Sequence, residues 1–440
     1  MKIALVAGHV TQPARADDTH GTNSHYANSH YANPHCSDPL CADQAAHVAG
    51  LGRALAAQGH RVVVYARKDS PRLPDTAALG SRLTAQYITA GPPAQAAAGC
   101  LPSHLGAFGA GLAARWRRSA PQIVHAFGWT NGLAALLAAR EHEVPIVQAF
   151  GSLAVAERRR GIAAGQDAAR LRMERCLAKS VTGVVASTSE EAGDLARLGV
   201  QSARAAMVPC GVDLARFEPE GRAAERSDLR RLVYVGPLAD HQRLDVLIRA
   251  LAEVPSAELI IAGGPAAADL DASVAFKRLG KLAAGLGVAD RVAFTGQLGG
   301  KELPALLRSA DLFVSAASHE PLGLTAISAM ACGVPVIAAA VGAYADAVID
   351  GTTGLLLPSP QPQLLASRLR DLLAFPLRVT AFGIAAADRA RSRYSWDRIA
   401  GETAAAYERF LAGDAAPVTG RAFGAPTEPG DLAVAGRRAA

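Results

Sequence analysis

Short apolar bursts rich in β-branched residues recur along the chain at Ile3 to Val6, Arg61 to Ala66, Ile123 to Phe127, Ile146 to Phe150 and Gly183 to Ala186. Helical patterns fill most of the intervals between them. Strands that are apolar throughout, rather than on alternate positions, are buried on both faces, which predicts a parallel sheet with crossover helices on either side. The stretch from Gln44 to Gly59 shows the unit: an Ala- and Leu-rich helix stopped by Gly59, then the strand Arg61-Val62-Val63-Val64-Tyr65. A second series of bursts runs through Leu232 to Gly236, Leu259 to Gly263, Val292 to Thr295, Leu312 to Ser315 and Val334 to Ala338. Between the series, Glu218-Pro219-Glu220-Gly221-Arg222-Ala223-Ala224-Glu225-Arg226 is charged and lacks large apolar side chains, as a linker would. The expected organisation is therefore an α/β domain over 1–217, a linker over 218–230, a second α/β domain over 231–412 and a flexible Pro/Gly/Ala tail over 413–440. Ligands of doubly wound sheets sit at the carboxyl ends of the strands, so two such domains facing each other imply a site in the cleft.

One segment breaks the alternation. Residues 10–43 carry Asn23-Ser24-His25-Tyr26-Ala27, repeated as Asn28-Ser29-His30-Tyr31-Ala32 and trailing into Asn33-Pro34-His35, a low-complexity insert in the first loop. Its His20, His25, His30, His35, Cys36 and Cys41 match no zinc spacing, because structural sites need paired, closely spaced ligands on a tight framework; no metal is expected.

Composition narrows the class only slightly. With 440 residues, half of them apolar, the chain is long enough for sizeable cores, which excludes collagen-like, disordered and mini-protein classes. A net charge of +6 is spread along the length rather than gathered in blocks. Arg115-Trp116-Arg117-Arg118 reads as the solvated end of a helix; with no aromatic-interleaved basic stripe, neither a nucleic-acid partner nor a membrane surface is expected. Six cysteines are too sparse for a disulfide scaffold, so a reducing, cytoplasmic setting is the expectation. The opening Met1-Lys2-Ile3-Ala4-Leu5-Val6 is too short for a secretory leader, and Gly333-Val334-Pro335 splits the uncharged run from Pro321 to Ala345 into a helix and a strand rather than a membrane span.

The most specific stretch is His319-Glu320-Pro321-Leu322-Gly323-Leu324-Thr325, followed by Ala326 to Pro335. It sets a carboxylate at a strand end, a glycine in the loop and then a helix whose first amides are free. Glu320 suits a sugar hydroxyl, and the amides of Leu324 and Thr325 suit a phosphate. Taken from pattern alone, an ordinary acidic loop residue before a helix is the competing reading.

Together with Val208-Pro209-Cys210-Gly211-Val212-Asp213, Ile261-Ala262-Gly263-Gly264-Pro265, Gly351-Thr352-Thr353-Gly354-Leu355 and Tyr394-Ser395-Trp396, this stretch resembles the family-four retaining glycosyltransferases of the GT-B fold. The likeness is closest to the branch of sucrose-phosphate synthase and of the inositol-phosphate N-acetylglucosaminyltransferase of mycothiol synthesis, and it runs from about Lys2 to Phe410. The resemblance implies two Rossmann-like domains facing across a cleft and glycosyl transfer from a nucleotide diphosphate sugar to a small-molecule or glycan acceptor. It implies no metal and no cofactor beyond that co-substrate. It also implies donor contacts from Gly236, Glu320, Gly323, Leu324 and Thr325. His104, His125 and Trp129 become candidates for acceptor contacts.

The chain departs from the family pattern at the chemistry. The second Glu of the family's pair, which grips ribose hydroxyls, falls on the shorter Ser328. The Arg and Lys that hold the diphosphate after the strand Leu232 to Gly236 fall on Pro237 and Gln242. Arg243 is adjacent, but one residue turns a helical side chain by about 100°. A Gly-Gly pair before the helix expected to open at Gln44 is replaced by Ala42 and Asp43, and a carboxylate there repels a diphosphate. The family's His after Ile146 to Phe150 is Gly151.

Two readings stay open. One is a glycosyltransferase with altered donor contacts, using Arg243 or the run Arg158-Arg159-Arg160. The other is a pseudoglycosyltransferase: a non-catalytic scaffold with a protein partner, or an enzyme that couples a sugar-like substrate by another route. The residue chemistry leans to the second and the family likeness to the first.

Overall fold

The computed structural model describes residues 1–8, 39–92, 101–162 and 167–413. The tail beyond Gly413 and nearly all of the His/Asn-rich insert lie outside them. The first half of the chain holds β1 (Lys2–Val6), α1 (Pro39–Ala57), β2 (Arg61–Arg67), β3 (Thr76–Gly80), β4 (Leu83–Ile88), α2 (Leu101–Arg118), β5 (Ile123–Phe127), α3 (Trp129–Ala139), β6 (Ile146–Ala149), α4 (Ala154–Arg159), α5 (Asp167–Ser180), β7 (Gly183–Ala186), α6 (Ser189–Arg197) and β8 (Ala205–Met207). The second half holds β9 (Arg230–Val235), α7 (Leu244–Ala252), β10 (Ala257–Ala262), α8 (Val274–Gly285), β11 (Val292–Gly296), α9 (Glu302–Arg308), β12 (Leu312–Ser315), α10 (Leu324–Ala331), β13 (Val336–Ala339), α11 (Gly342–Ala347), β14 (Gly354–Leu357), α12 (Pro362–Leu373), α13 (Pro376–Tyr394) and α14 (Trp396–Ala412).

Each half forms one sheet. The strand orders are β3-β4-β2-β1-β5-β6-β7-β8 and β11-β10-β9-β12-β13-β14. Apart from β3, which runs antiparallel to β4, the pairings are parallel. Strands β5, β6, β7, β12 and β13 are buried along their whole length, as uniformly apolar bursts require. Strand order reverses between β1 and β5 in one sheet and between β9 and β12 in the other, so each domain opens a crevice at those strand ends.

Two expectations are corrected. First, α1 begins at Pro39 rather than Gln44, with proline in the first turn where its missing N–H is harmless. Ala42 and Asp43 therefore belong to the helix backbone and not to a loop ahead of it; their side chains lie outside the described set. Second, the last helix of the 231–412 unit does not pack in the second domain. Ile399, Ala400, Tyr407 and Phe410 of α14 join Ile3, Leu5, Leu51 and Phe127 in a core of the first domain. Apolar periodicity states that a helix is buried, not in which core.

The return crossing explains two of the sequence motifs. The Val212 amide donates to the Tyr394 carbonyl at 2.8 Å, and Val212 pairs with Ser395 as an isolated parallel bridge. The Trp396 ring lies against Gly50 and Gly211, where an added methyl would sit 2.2 Å and 2.5 Å from it. Helix propensity favours Ala over Gly by about 1 kcal/mol, but overpacking costs about 1–3 kcal/mol. Gly50→Ala is therefore expected to lower the melting temperature, and a rise in thermal denaturation would contradict this docking of Trp396.

Candidate active site

Glu320 follows β12, and its carboxylate is fixed by two donors: the Gly323 amide at 2.9 Å and the Tyr344 hydroxyl at 3.2 Å. Burial raises its pKa above the usual carboxylate range, against the pull of the Gly323 and Tyr344 hydrogen bonds. The backbone beside it is equally constrained. The Glu320 carbonyl accepts from the Ala343 amide at 2.8 Å, and a methyl at Gly342, whose φ is 46°, would lie 2.1 Å from that carbonyl oxygen. Only glycine allows α11 to approach Glu320 this closely.

Gly323 caps α10 in the left-handed region at φ 66°, so the chain turns directly from Glu320 into the helix. The amides of Leu324 and Thr325 open α10 a few residues from the carboxylate, the juxtaposition expected from sequence. The Ser328 hydroxyl donates to the Leu324 carbonyl at 2.8 Å one turn back, which leaves it only acceptor capacity toward a ligand.

The loop after β9 carries no free cation toward this site. Pro237 offers its carbonyl to the Tyr234 hydroxyl at 2.9 Å. Gln242 is buried. Arg243 adopts a left-handed conformation with φ 53° and lies 3.6 Å from Asp245, half-exposed, which turns its guanidinium outward.

The first domain supplies the facing wall. Gly151 follows β6 at φ 76°, a conformation that disfavours the histidine of the family pattern. The Ser187 amide donates to Glu191 at 2.7 Å, while Thr188 accepts from the Glu191 amide at 3.1 Å. This Thr188-to-Glu191 box starts α6, and burial pushes the Glu191 carboxyl up to about 7. Ser152 donates to Glu157 at 2.7 Å and lies 3.0 Å from Nε2 of His319. The single Ser152 proton goes to Glu157, so His319 donates through Nε2. Burial holds His319 neutral, its pKa lowered to about 4.

The two walls touch. Glu190 accepts from the Gly342 amide at 2.9 Å, Ser189 donates to Asp346 at 2.6 Å, and Arg160 bonds both the Ser318 carbonyl and Glu190. Gly151, Ser152, Glu190, Glu191, His319 and Glu320 enclose a cavity of only about 20 Å³. Ligand pockets commonly measure roughly 300–1,000 Å³, so any sizeable ligand needs the domains to part here. A larger cavity of about 320 Å³ lies further along α11, but its Arg389 and Arg393 are engaged by backbone carbonyls and by Glu402.

The three acceptor-side candidates have different surroundings. His104 packs over Gly91, and Trp129 packs on a first-domain core. His125 is 2% exposed and 2.7 Å from the Tyr407 hydroxyl, and it lines a small cavity together with Gly151 and Leu322. Burial lowers its pKa to about 3, against roughly 6.5 in the unfolded chain. Unfolding then takes up a proton between these values, so the stability His125 contributes is lost as pH falls from 6.5. The stability advantage of wild type over His125→Gln in urea titrations is expected to shrink by about 2 kcal/mol from pH 7 to pH 5, at about 1.4 kcal/mol per pH unit below 6.5. A constant difference would contradict a neutral buried imidazole.

Sequence reasoning missed Tyr344, Glu190, Ser152 and His319. Of the carboxylates in the facing wall, only Glu191 has a local sequence signal, the Thr188-x-x-Glu191 capping pattern. Among the described residues no group of three or more His, Cys, Asp or Glu could hold a metal ion, and no helix is long and apolar enough to cross a membrane.

Two doubly wound domains with facing crevices, a held glutamate and an adjoining helix start define the class of GT-B glycosyltransferases. The family model for Glycosyltransferase Family 4 matches residues 44–216, and that for Glycosyl transferases group 1 matches 218–389. The chain is 33% identical over 389 residues to the D-inositol 3-phosphate glycosyltransferase of Streptomyces bingchenggensis, covering 83% of this chain and 84% of that protein. It is 34% identical over 384 residues to the one of Streptomyces scabiei, covering 82% and 85%. Among solved structures it matches the sucrose-phosphate synthase of Thermosynechococcus elongatus at TM-score 0.78 and 26% identity, over 94% of this chain and 99% of that one. Anabaena HepE in complex with UDP and glucose shares the fold at TM-score 0.67 and 17% identity, over 93% and 99%. The chain belongs to the family-four, group 1 glycosyltransferases.

Proposed function

We propose that this chain transfers a glycosyl unit, with retention and without a metal ion, from a nucleoside diphosphate sugar to an acceptor hydroxyl in the cleft. The observation that carries the reading is Glu320, oriented by Gly323 and Tyr344 beside the first amides of α10. Glu320 would hold the donor sugar, and the Leu324 and Thr325 amides would take the charge that grows on the departing diphosphate. The acceptor oxygen bonds to the anomeric carbon as the bond to the phosphate oxygen breaks on the same face, and the acceptor's proton goes to that phosphate oxygen. The relatives' name makes a phosphorylated inositol the first acceptor to try. A cytoplasmic setting fits the free thiols of Cys176, Cys210 and Cys332.

The pseudoglycosyltransferase reading draws on one observation, the buried Gln242 and outward Arg243 at the second-domain diphosphate positions. One assay separates the two. The protein is incubated with UDP-, GDP- and ADP-sugars, with and without inositol phosphate and EDTA, and nucleoside diphosphate release is followed. Release that EDTA does not stop supports transfer, whereas none across the panel favours the second reading.

A further inference from the structure

We propose that Arg160, from the first domain, is the residue that contacts the donor's diphosphate in place of the cations missing at Pro237 and Gln242. This rests on the transferase reading above. Arg160 ends α4, and its side chain crosses the cleft to the Ser318 carbonyl, two residues before Glu320. Ser318 is itself fastened to the turn that carries Gln242, since its amide and hydroxyl both reach the His241 carbonyl, at 2.8 Å and 3.1 Å. The guanidinium is thus delivered from the opposite domain to the loop where the second domain has none.

Its neighbours in the run are committed elsewhere. Arg158 is exposed, and Arg159 is clamped to Asp194 at 2.7 Å and to Glu190 at 2.7 Å. Arg160 differs because it is releasable. Its Nε is buried with no hydrogen-bond partner among the described residues. Its carboxylate partner Glu190 keeps two other donors, Arg159 and the Gly342 amide, if Arg160 moves. Without ligand, the guanidinium rests on Glu190 and helps hold the domains together; an entering diphosphate offers a stronger, doubly anionic partner and frees it.

Titration with UDP tests the assignment. Arg160→Ala is expected to weaken UDP binding at least tenfold with little change in melting temperature, and Arg160→Lys to weaken it less. Glu190→Gln is expected to tighten it. Gln242→Lys, which returns a cation from the second domain, is expected to raise UDP affinity by a larger factor in Arg160→Ala than in wild type, a coupling that a merely structural role for Arg160 does not produce. If Arg160→Ala binds UDP within twofold of wild type, or if Gln242→Lys raises affinity by the same factor with and without Arg160, the assignment is overturned while the transferase reading stands. If wild type binds no nucleotide diphosphate, both fall.

Discussion

Glu320→Gln is expected to reduce glycosyl transfer at least a hundredfold while leaving the affinity for UDP within about threefold. Glutamine keeps the shape and can still accept from the Gly323 amide, now at 2.9 Å from the carboxylate, so the loop into α10 is retained. What it loses is the negative charge, held by Gly323 and Tyr344, on the sugar whose ring develops positive charge during transfer. Losing an interaction made with the transition state alone lowers kcat without weakening ground-state binding, so the expected signature is a fall in kcat with an unchanged nucleotide affinity. Equal losses in UDP affinity and turnover would mean that Glu320 serves the fold of the loop instead. A companion change, Gly342→Ala, pushes a methyl to 2.1 Å from the Glu320 carbonyl and should mimic the loss of turnover with an added loss of stability.

The opposite result is expected from Pro237→Arg, Gln242→Lys and Ser328→Glu combined, which installs on the second-domain wall the residues that the family resemblance calls for. Charge-assisted hydrogen bonds are worth about 1.5–3 kcal/mol each, so two to a diphosphate predict a gain of two to four orders of magnitude. The lower end, about a hundredfold tighter UDP binding, is the expectation here. Gln242 is buried, so a lysine must first leave that site, and the Ser328 hydroxyl must give up its bond to Leu324. The Tyr234 bond to Pro237 uses a backbone carbonyl and survives the substitution. His is left out at position 151 because the φ of 76° there would strain it. Unchanged or weaker UDP binding, measured by isothermal titration, would show that the native residues are fitted to a different ligand.

Much of the architecture was legible because it rests on local patterns. Uniformly apolar bursts located β1, β2, β5, β6, β7, β9, β10, β12 and β13, since burial on both faces leaves little other composition; β11, at a sheet edge and mostly half-buried, was marked by the same kind of burst. Strand β3 escaped because it alternates between exposed and half-buried positions at a sheet edge, with Thr, Ala and Gly in place of branched side chains. At the site, Glu320, Gly323 and the start of α10 lie within one short segment and could be read as a unit. The contacts that close the cleft could not be. Ser152 meets His319, Glu190 meets Gly342 and Arg160 meets Ser318 across more than 150 residues of chain, and no local pattern records such pairs. Likewise the contact of His125 with Tyr407 could not be read, because the route of α14 was not visible in its sequence.

The central claim, that the cleft between these domains receives a nucleoside diphosphate sugar, is tested most directly by isothermal titration of the wild-type chain with UDP, GDP and ADP and their sugars. Micromolar or tighter binding of at least one nucleotide, strengthened or retained with its sugar attached, is the predicted result. Silence across the whole panel would contradict it.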